Sequence, residues 1–311
     1  MKLVSLSNKD TEKKGGSKID VYNKFIECAK GAGIEGQHHF VTDTRELLSL
    51  LREFEPDVVY SGAYYTDDGD NVHEVLDANG VPYIGSSPEA LELVISKSRL
   101  KEAWRDAGVP TPDFVVVRDG DVSPLKEAKN FPYIVKPATE GNSRGMDEGS
   151  VVHNPDELRA RCELLHREFG YDDILAEKYM GRKIREFTIG IIGEGDRKIV
   201  MPAELVCRSG VRPLFIDTSM KDDPDYKNRE VFAAPLIDQP RRDQVIELAG
   251  LMFDVAGVRD YARCDILTDE EGNLGAIEIN GQSQIESYFI TGGKGVGMDE
   301  CQTRNAIFLA G

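Results

Sequence analysis

Over the first hundred residues short apolar strands alternate with amphipathic helices, and no other feature narrows the fold as much. "KLVSL" opens the chain, followed by a helical pattern near Ile19–Lys30, another near Arg45–Phe54, the strand "DVVY", a helix near Val72–Ala78 and the strand "VPYIG". That alternation predicts a parallel sheet flanked by helices. Ser87-Pro88-Glu89 has the form of an N-cap with proline at the first helical position, and Ser96 to Ala107 reads as a helix stopped by Gly108. Pro110 and Pro112 mark a boundary, and from Phe114 the pattern changes to strands joined by hairpin-like turns. One helix interrupts them, capped by Asn154-Pro155 and ended by Gly170. An irregular stretch runs from Arg208 to about Asp238, a length typical of lids or disordered segments. After it come a helix near Arg241–Ala256, a hairpin over Tyr261–Asn280 and a helix near Asp299–Leu309. A chain of 311 residues exceeds what one core usually supports. The expected fold class is therefore mixed α/β and α+β: a parallel α/β lobe over 1–96, then α+β lobes over 97–180 and 181–311.

Composition excludes several classes of function. The formal charge of −17, from 38 basic and 55 acidic residues, repels a nucleic-acid backbone, and no basic run offsets it. No apolar run approaches the ~18–20 residues of a membrane span, and the N-terminus has no stretch of signal-peptide length, so cytoplasm is the expected compartment. The five cysteines (Cys28, Cys162, Cys207, Cys264, Cys301) are widely spaced with no CxxC pair, which predicts reduced, mostly buried thiols. The five histidines form no metal motif and read as core or solvated side chains.

Two segments carry chemistry. "VKPATEGNSRGM" (Val135–Met146) places a lysine before a glycine-containing loop, which taken alone suits a solvated hairpin turn better than a phosphate cradle. "YARCDILTDEEGNLGAIEIN" is more specific. If Glu270-Glu271-Gly272-Asn273 forms the turn, Arg263 faces Asn280 and Asp265 faces Glu278, with Cys264, Ile266, Ile277 and Ile279 on the opposite face. Carboxylates directly opposed across an antiparallel pair repel unless a cation lies between them. Two carboxylates, an amide oxygen and phosphate oxygens suit magnesium.

"GVPYIGSSPEALELVISKSRLKEAWRDAGVPTP", "FPYIVKPATEGNSRGM", "LAEKYMGRKIREFTIGII" and "RCDILTDEEGNLGAIEIN", in this order and spacing, resemble the ATP-grasp superfamily and within it the D-alanine–D-alanine ligases, over roughly residues 80–280. The resemblance implies that Lys97 and Lys136 reach the phosphates of ATP, and that the loop Glu140, Gly141, Asn142, Ser143 to Gly145 closes over the γ-phosphate. It further implies that Glu177, Lys178, Tyr179 and Met180 hold adenine, that Glu186 contacts ribose and that Lys221 joins the triphosphate cluster. Asp265, Glu278 and Asn280 match the ligands of two magnesium ions, and Arg263 matches the arginine that steadies the transition state, with Lys221 and Ser143 acting beside it. A carboxylate would be activated as an acyl phosphate and captured by an amine, making the chain an ADP-forming carboxylate–amine ligase for small amino acids.

The sequence also departs from the family. "LSNKDTEKKGGSK" stands in place of a Gly-Gly-x-Ser-x-Glu stretch, "SGAYYTDDGDN" lacks a His-Gly segment, and "GQSQIES" replaces Ser-Pro-Gly-Met. Asn142 stands where a serine is usual, and Asp222 where a tyrosine is usual. These differences lead to the expectation that the product is not D-alanyl-D-alanine. Arg144, Tyr64, Tyr65, Gln282, Gln284 and Glu286 are the candidate substrate contacts. Intramolecular cyclisation and a non-catalytic ATP-binding module are the alternatives. The expected partners are small amino acids, with a homodimer left open, and neither nucleic acid nor membrane.

Overall fold

The computed structural model describes residues 1–8, 17–140, 145–207, 231–285 and 287–309. The N-terminal sheet is parallel, in the order β2-β1-β3-β4, from β1 (Lys2–Asn8), β2 (Glu35–Val41), β3 (Val58–Ser61) and β4 (Tyr83–Ile84). Helices α1 (Ser17–Gly31), α2 (Thr44–Phe54) and α3 (Val72–Ala78) connect the strands. Helix α2 shows how local sequence sets an element. Asp43 accepts the Glu46 N–H at its start, Leu47 and Leu51 recur one turn apart and are buried, and Glu55 leaves in the left-handed conformation at φ 48°.

Helices α4 (Pro88–Ile95) and α5 (Lys97–Asp106) follow, capped by Ser87 and Ser96 as the sequence predicts. The second sheet, β5-β8-β6-β7, is antiparallel and comprises β5 (Phe114–Arg118), β6 (Tyr133–Pro137), β7 (Val151–Val152) and β8 (Asp173–Lys178). Helix α6 (Pro155–Phe169) packs on it, with Asn154 capping its start and Gly170 closing its end at φ 70°. The third sheet, β11-β10-β9-β12-β13, is also antiparallel: β9 (Glu186–Ile192), β10 (Ile199–Cys207), β11 (Val231–Pro235), β12 (Tyr261–Thr268) and β13 (Leu274–Asn280). Helices α7 (Gln239–Val255), α8 (Ser287–Gly295) and α9 (Glu300–Asn305) complete the described chain.

One core holds α4, α5 and α7 against the third sheet: Leu91, Trp104, Phe187, Phe253 and Ile279 are all buried there. The N-terminal lobe is fastened to the same sheet through polar groups. Gly85 N–H donates to Asp260 Oδ2 at 2.8 Å, and Arg259 Nε donates back to Gly85 O at 2.8 Å. These contacts fix the first sheet over the open end of the β12–β13 hairpin.

Three sequence expectations need revision. Residues 231–235, assigned to the irregular stretch, form β11 and pair with Ala203–Cys207, while residues 208–230 lie outside the described residues. Cys28 on α1 and Cys301 on α9 are joined by a disulfide rather than reduced; Cys162 and Cys264 are free and buried, as expected. Helix α8 was not predicted, because "SYFITGGKG" is rich in poor helix formers. Its glycines are there for contact: a Cβ at Gly292 would lie 2.2 Å from Met201 O. Among the described residues no helix is long and apolar enough to cross a membrane.

Candidate functional site

The β12–β13 hairpin has the predicted register, with Arg263 opposite Asn280 and Asp265 opposite Glu278. A bulge after Asp265 then shifts the pairing, so Ile266 faces Ala276. Ala276 is therefore fully buried with Cys264, Ile266 and Ile279, and Ile277, expected in that core, is only half-buried. The polar face carries a preformed ion pair. Arg263 Nε donates to Asp265 Oδ1 at 3.2 Å and Nη2 to Oδ2 at 3.1 Å, and Thr188 Oγ1 adds a bond of 2.9 Å to Oδ1. Burial pushes the Asp265 carboxyl up and Glu278 adds to this, while Arg263 opposes both. Asp265 in turn is the main reason that the Arg263 guanidinium holds its proton more tightly than usual.

Asn280 Oδ1 accepts the Gln282 N–H at 3.0 Å and the Tyr64 hydroxyl at 3.4 Å. Tyr64 thus reaches the hairpin from the first lobe, whereas Tyr65 is exposed. Gln282 is buried, and its amide nitrogen donates to Ser61 O at 2.8 Å and Ala63 O at 3.3 Å, so that nitrogen serves to tie the lobes together. Gln284 Nε2 donates to the Tyr22 hydroxyl at 3.1 Å.

The second half of the site is cationic. Lys97 starts α5 and donates to Glu140 O at 2.6 Å; burial lowers its pKa, and Glu278 is the strongest of the charges that oppose this. Lys97 is therefore within electrostatic reach of the hairpin. Lys136 on β6 donates to Glu177 Oε1 at 3.2 Å, across to β8. Glu177 is almost wholly buried and forms a second ion pair, with Lys101. Burial alone would raise the Glu177 carboxyl, yet Lys101 and then Lys136 outweigh it and hold the group below its ordinary value. Sequence reading missed Lys101. Its signal was the four-residue spacing from Lys97, which puts both lysines on one helix face.

Further along β8 the Lys178 N–H donates to Asp113 O at 2.7 Å and the Tyr179 N–H to Pro132 O at 3.0 Å, fixing the strand as it leaves the second sheet. Lys178 Nζ bonds Asn130 O, and the Met180 side chain lies against Gly275 of β13. Glu186 opens β9 opposite Leu267 and Leu205. Gly141, Asn142, Ser143, Arg144, Lys221 and Glu286 lie outside the described residues.

Among the described residues no cluster of three His, Cys, Asp or Glu side chains is placed to bind a metal. Asp265, Glu278 and Asn280 nevertheless fit magnesium, which takes oxygen donors and commonly only one or two carboxylates alongside substrate phosphates.

A parallel sheet followed by two antiparallel sheets, with Asp265 opposite Glu278 and Arg263 opposite Asn280 in the last of them, marks the ATP-grasp class of carbon–nitrogen ligases. The model of the D-ala D-ala ligase C-terminus family matches residues 103–288. A D-alanine–D-alanine ligase B of Chromobacterium violaceum is 30% identical over 267 residues, spanning 85% of this chain and 82% of that protein. The D-alanine–D-alanine ligase of Hydrogenovibrio crunogenus is 29% identical over 265 residues, spanning 83% and 77%. This chain belongs to the D-alanine–D-alanine ligase family. Among solved structures, the Bacillus anthracis D-alanine–D-alanine ligase complexed with ATP superposes with a TM-score of 0.74 at 17% identity, covering 100% of this chain and 97% of that one. The VanG D-Ala:D-Ser ligase of Enterococcus faecalis gives 0.74 at 17% identity, covering 99% and 98%. The expectation that the product departs from D-alanyl-D-alanine is not borne out by these relatives, whose names carry that activity.

Proposed function

We propose that the protein uses ATP to join two small amino acids, activating the carboxylate of the first as an acyl phosphate, with D-alanine as the reference substrate for both positions. The observation that carries this reading is the β12–β13 register, which sets Arg263 opposite Asn280 and Asp265 opposite Glu278, together with Lys97, whose charge Glu278 supports, and Lys136, which pairs with Glu177. Lys97 and Lys136 bind and orient the triphosphate, with Gly141, Asn142, Ser143 and Lys221 assigned to the same task by their place in the sequence. Asp265, Glu278 and Asn280 would hold magnesium, which when bound neutralises phosphate charge that a chain of net charge −17 cannot otherwise tolerate.

The donor carboxylate attacks the γ-phosphorus, the bond to the β-phosphate oxygen breaks, and ADP leaves. The amine of the second amino acid, having lost a proton, then attacks the acyl carbon, and the tetrahedral oxyanion collapses with expulsion of phosphate. Arg263 is the donor assigned to that oxyanion. Asp265 holds its Nε and Nη2, and Nη1, which donates to Ser283 Oγ at 3.5 Å, is the nitrogen least committed to protein partners. Tyr64, Gln282 and Gln284, from the first lobe and the segment after β13, are assigned to the amino-acid substrates, as are Arg144 and Glu286 by their place in the sequence.

The test is incubation with ATP, magnesium and D-alanine, with and without hydroxylamine. ADP and D-alanyl-D-alanine in equal amounts, and a D-alanine hydroxamate when hydroxylamine is present, are the expected results. No ADP above the background without amino acid would refute the proposal.

A further inference from the structure

A buried lysine beside the nucleotide lysines has no task in that mechanism. Lys101 is wholly buried, and its ammonium group pairs with Glu177 Oε2 and donates to Thr111 Oγ1 at 2.7 Å and to Ala276 O at 2.7 Å. A lysine has three protons to donate, and three acceptors surround this one, so it cannot touch a ligand; burial lowers its pKa to about 8, with Glu177 the strongest charge opposing this, which keeps it mostly charged at neutral pH. Its effect must pass through Glu177, whose other oxygen meets Lys136.

We infer that Lys101 is a positioning residue for nucleotide binding: by sharing Glu177 it leaves Lys136 with surplus positive charge for a phosphate group. A single buried carboxylate facing only Lys136 would form a neutral pair with little attraction for an anion. With Lys101 on the far side, the group of three carries a net charge of +1, and the surplus lies at its solvent end: the Lys136 side chain is 11% exposed and that of Lys101 0%. The same ammonium fixes direction as well as charge. Thr111 Oγ1 also donates to Ala276 O, at 2.9 Å, so Lys101 joins α5, the start of the second lobe and β13 at one point. Glu177 is thereby held at a set distance from the acidic hairpin, and Lys136 with it.

This inference rests on Lys136 facing phosphate, and the experiment separates the two ideas. Wild type, Lys101→Met and the double variant Lys101→Met/Glu177→Gln are titrated calorimetrically with MgATP, magnesium tripolyphosphate and adenosine. Lys101→Met should weaken MgATP and tripolyphosphate alike, by about tenfold (~1.4 kcal/mol), and leave adenosine unchanged. The double variant removes one buried positive and one buried negative group together and should regain wild-type affinity for tripolyphosphate. If Lys101→Met fails to fold, Glu177→Gln is the readout: with both lysines kept and the carboxylate gone it should bind tripolyphosphate more tightly than wild type and adenosine no better, and tripolyphosphate bound no more tightly would overturn the inference. Equal MgATP affinity in wild type and Lys101→Met, or equal losses for adenosine and tripolyphosphate, would overturn the inference. If wild type itself does not bind MgATP, the nucleotide reading falls and takes this inference with it.

Discussion

Replacing Arg263 with lysine keeps the charge and removes the planar fork, so it separates a structural arginine from a catalytic one. Arg263 spends Nε and Nη2 on Asp265 at 3.2 and 3.1 Å, while Nη1 makes only a long bond of 3.5 Å to Ser283 Oγ. A lysine ammonium can keep one of these bonds but cannot hold Asp265 and present a second donor to the cleft. Losing one charge-assisted bond costs ~1.5–3 kcal/mol when fully buried; both side chains are about a quarter exposed, so roughly 1 kcal/mol of stability is the expected loss. Removal of an oxyanion donor lowers kcat by about 10²–10³-fold, several times more in free energy. Arg263→Lys should therefore melt only slightly below wild type, keep its KM for ATP because Lys97 and Lys136 are untouched, and lose most of its amino-acid-dependent ADP release. Coupled ADP assays at saturating ATP together with thermal melts decide the matter. Undiminished kcat with the same modest loss of stability would show that Arg263 only neutralises Asp265.

Other perturbations give outcomes as definite. A Cβ at Gly62 would fall 1.8 Å from the Tyr22 hydroxyl, so Gly62→Ala should cost ~1–3 kcal/mol by overpacking, and adding Tyr22→Phe should recover part of it in urea titrations. The Cys28–Cys301 bridge closes a separation of 273 residues; loop-closure entropy assigns it roughly 5 kcal/mol, so reductant should lower the denaturation midpoint of wild type and leave Cys28→Ser, already lowered, unchanged. Burial holds His38 and His73 at about 4, against 6.5 for a free imidazole. Between those values the unfolded chain binds protons that the folded protein does not, so stability present above pH 6.5 is lost as pH falls toward 4, by ~1.4 kcal/mol per pH unit for each histidine. His73→Gln should flatten that slope in urea titrations between pH 6.5 and 4.5, and an unchanged slope would count against it.

The hairpin was legible because two local facts sufficed: a turn-forming Glu-Glu-Gly-Asn and a side-chain period of two, which together set Asp265 opposite Glu278. The bulge after Asp265 was not legible, since it depends on how Ala276 packs in the core shared with α5 and α7. Helix caps at Ser87, Ser96 and Asn154 were readable for the same local reason as the turn. Lys101 was legible only in part: its four-residue spacing from Lys97 puts both on one helix face, but in sequence a buried lysine looks like any helix-surface lysine, and its burial shows only in its neighbours Glu177, Thr111 and Ala276, all from other elements. The disulfide joins helices from opposite ends of the chain, and cysteine spacing cannot report a contact made by tertiary packing. The strand at 231–235 owes its conformation to pairing with β10 more than to its own short apolar run.

The most direct test of the account is oxygen transfer. With D-alanine labelled by ¹⁸O in its carboxylate, activation as an acyl phosphate places one labelled oxygen in the phosphate released for each peptide bond formed, readable by the isotope shift in ³¹P spectra. Labelled phosphate accumulating in step with dipeptide is the predicted result. Phosphate released without label, at a rate indifferent to the amino acid, would contradict it.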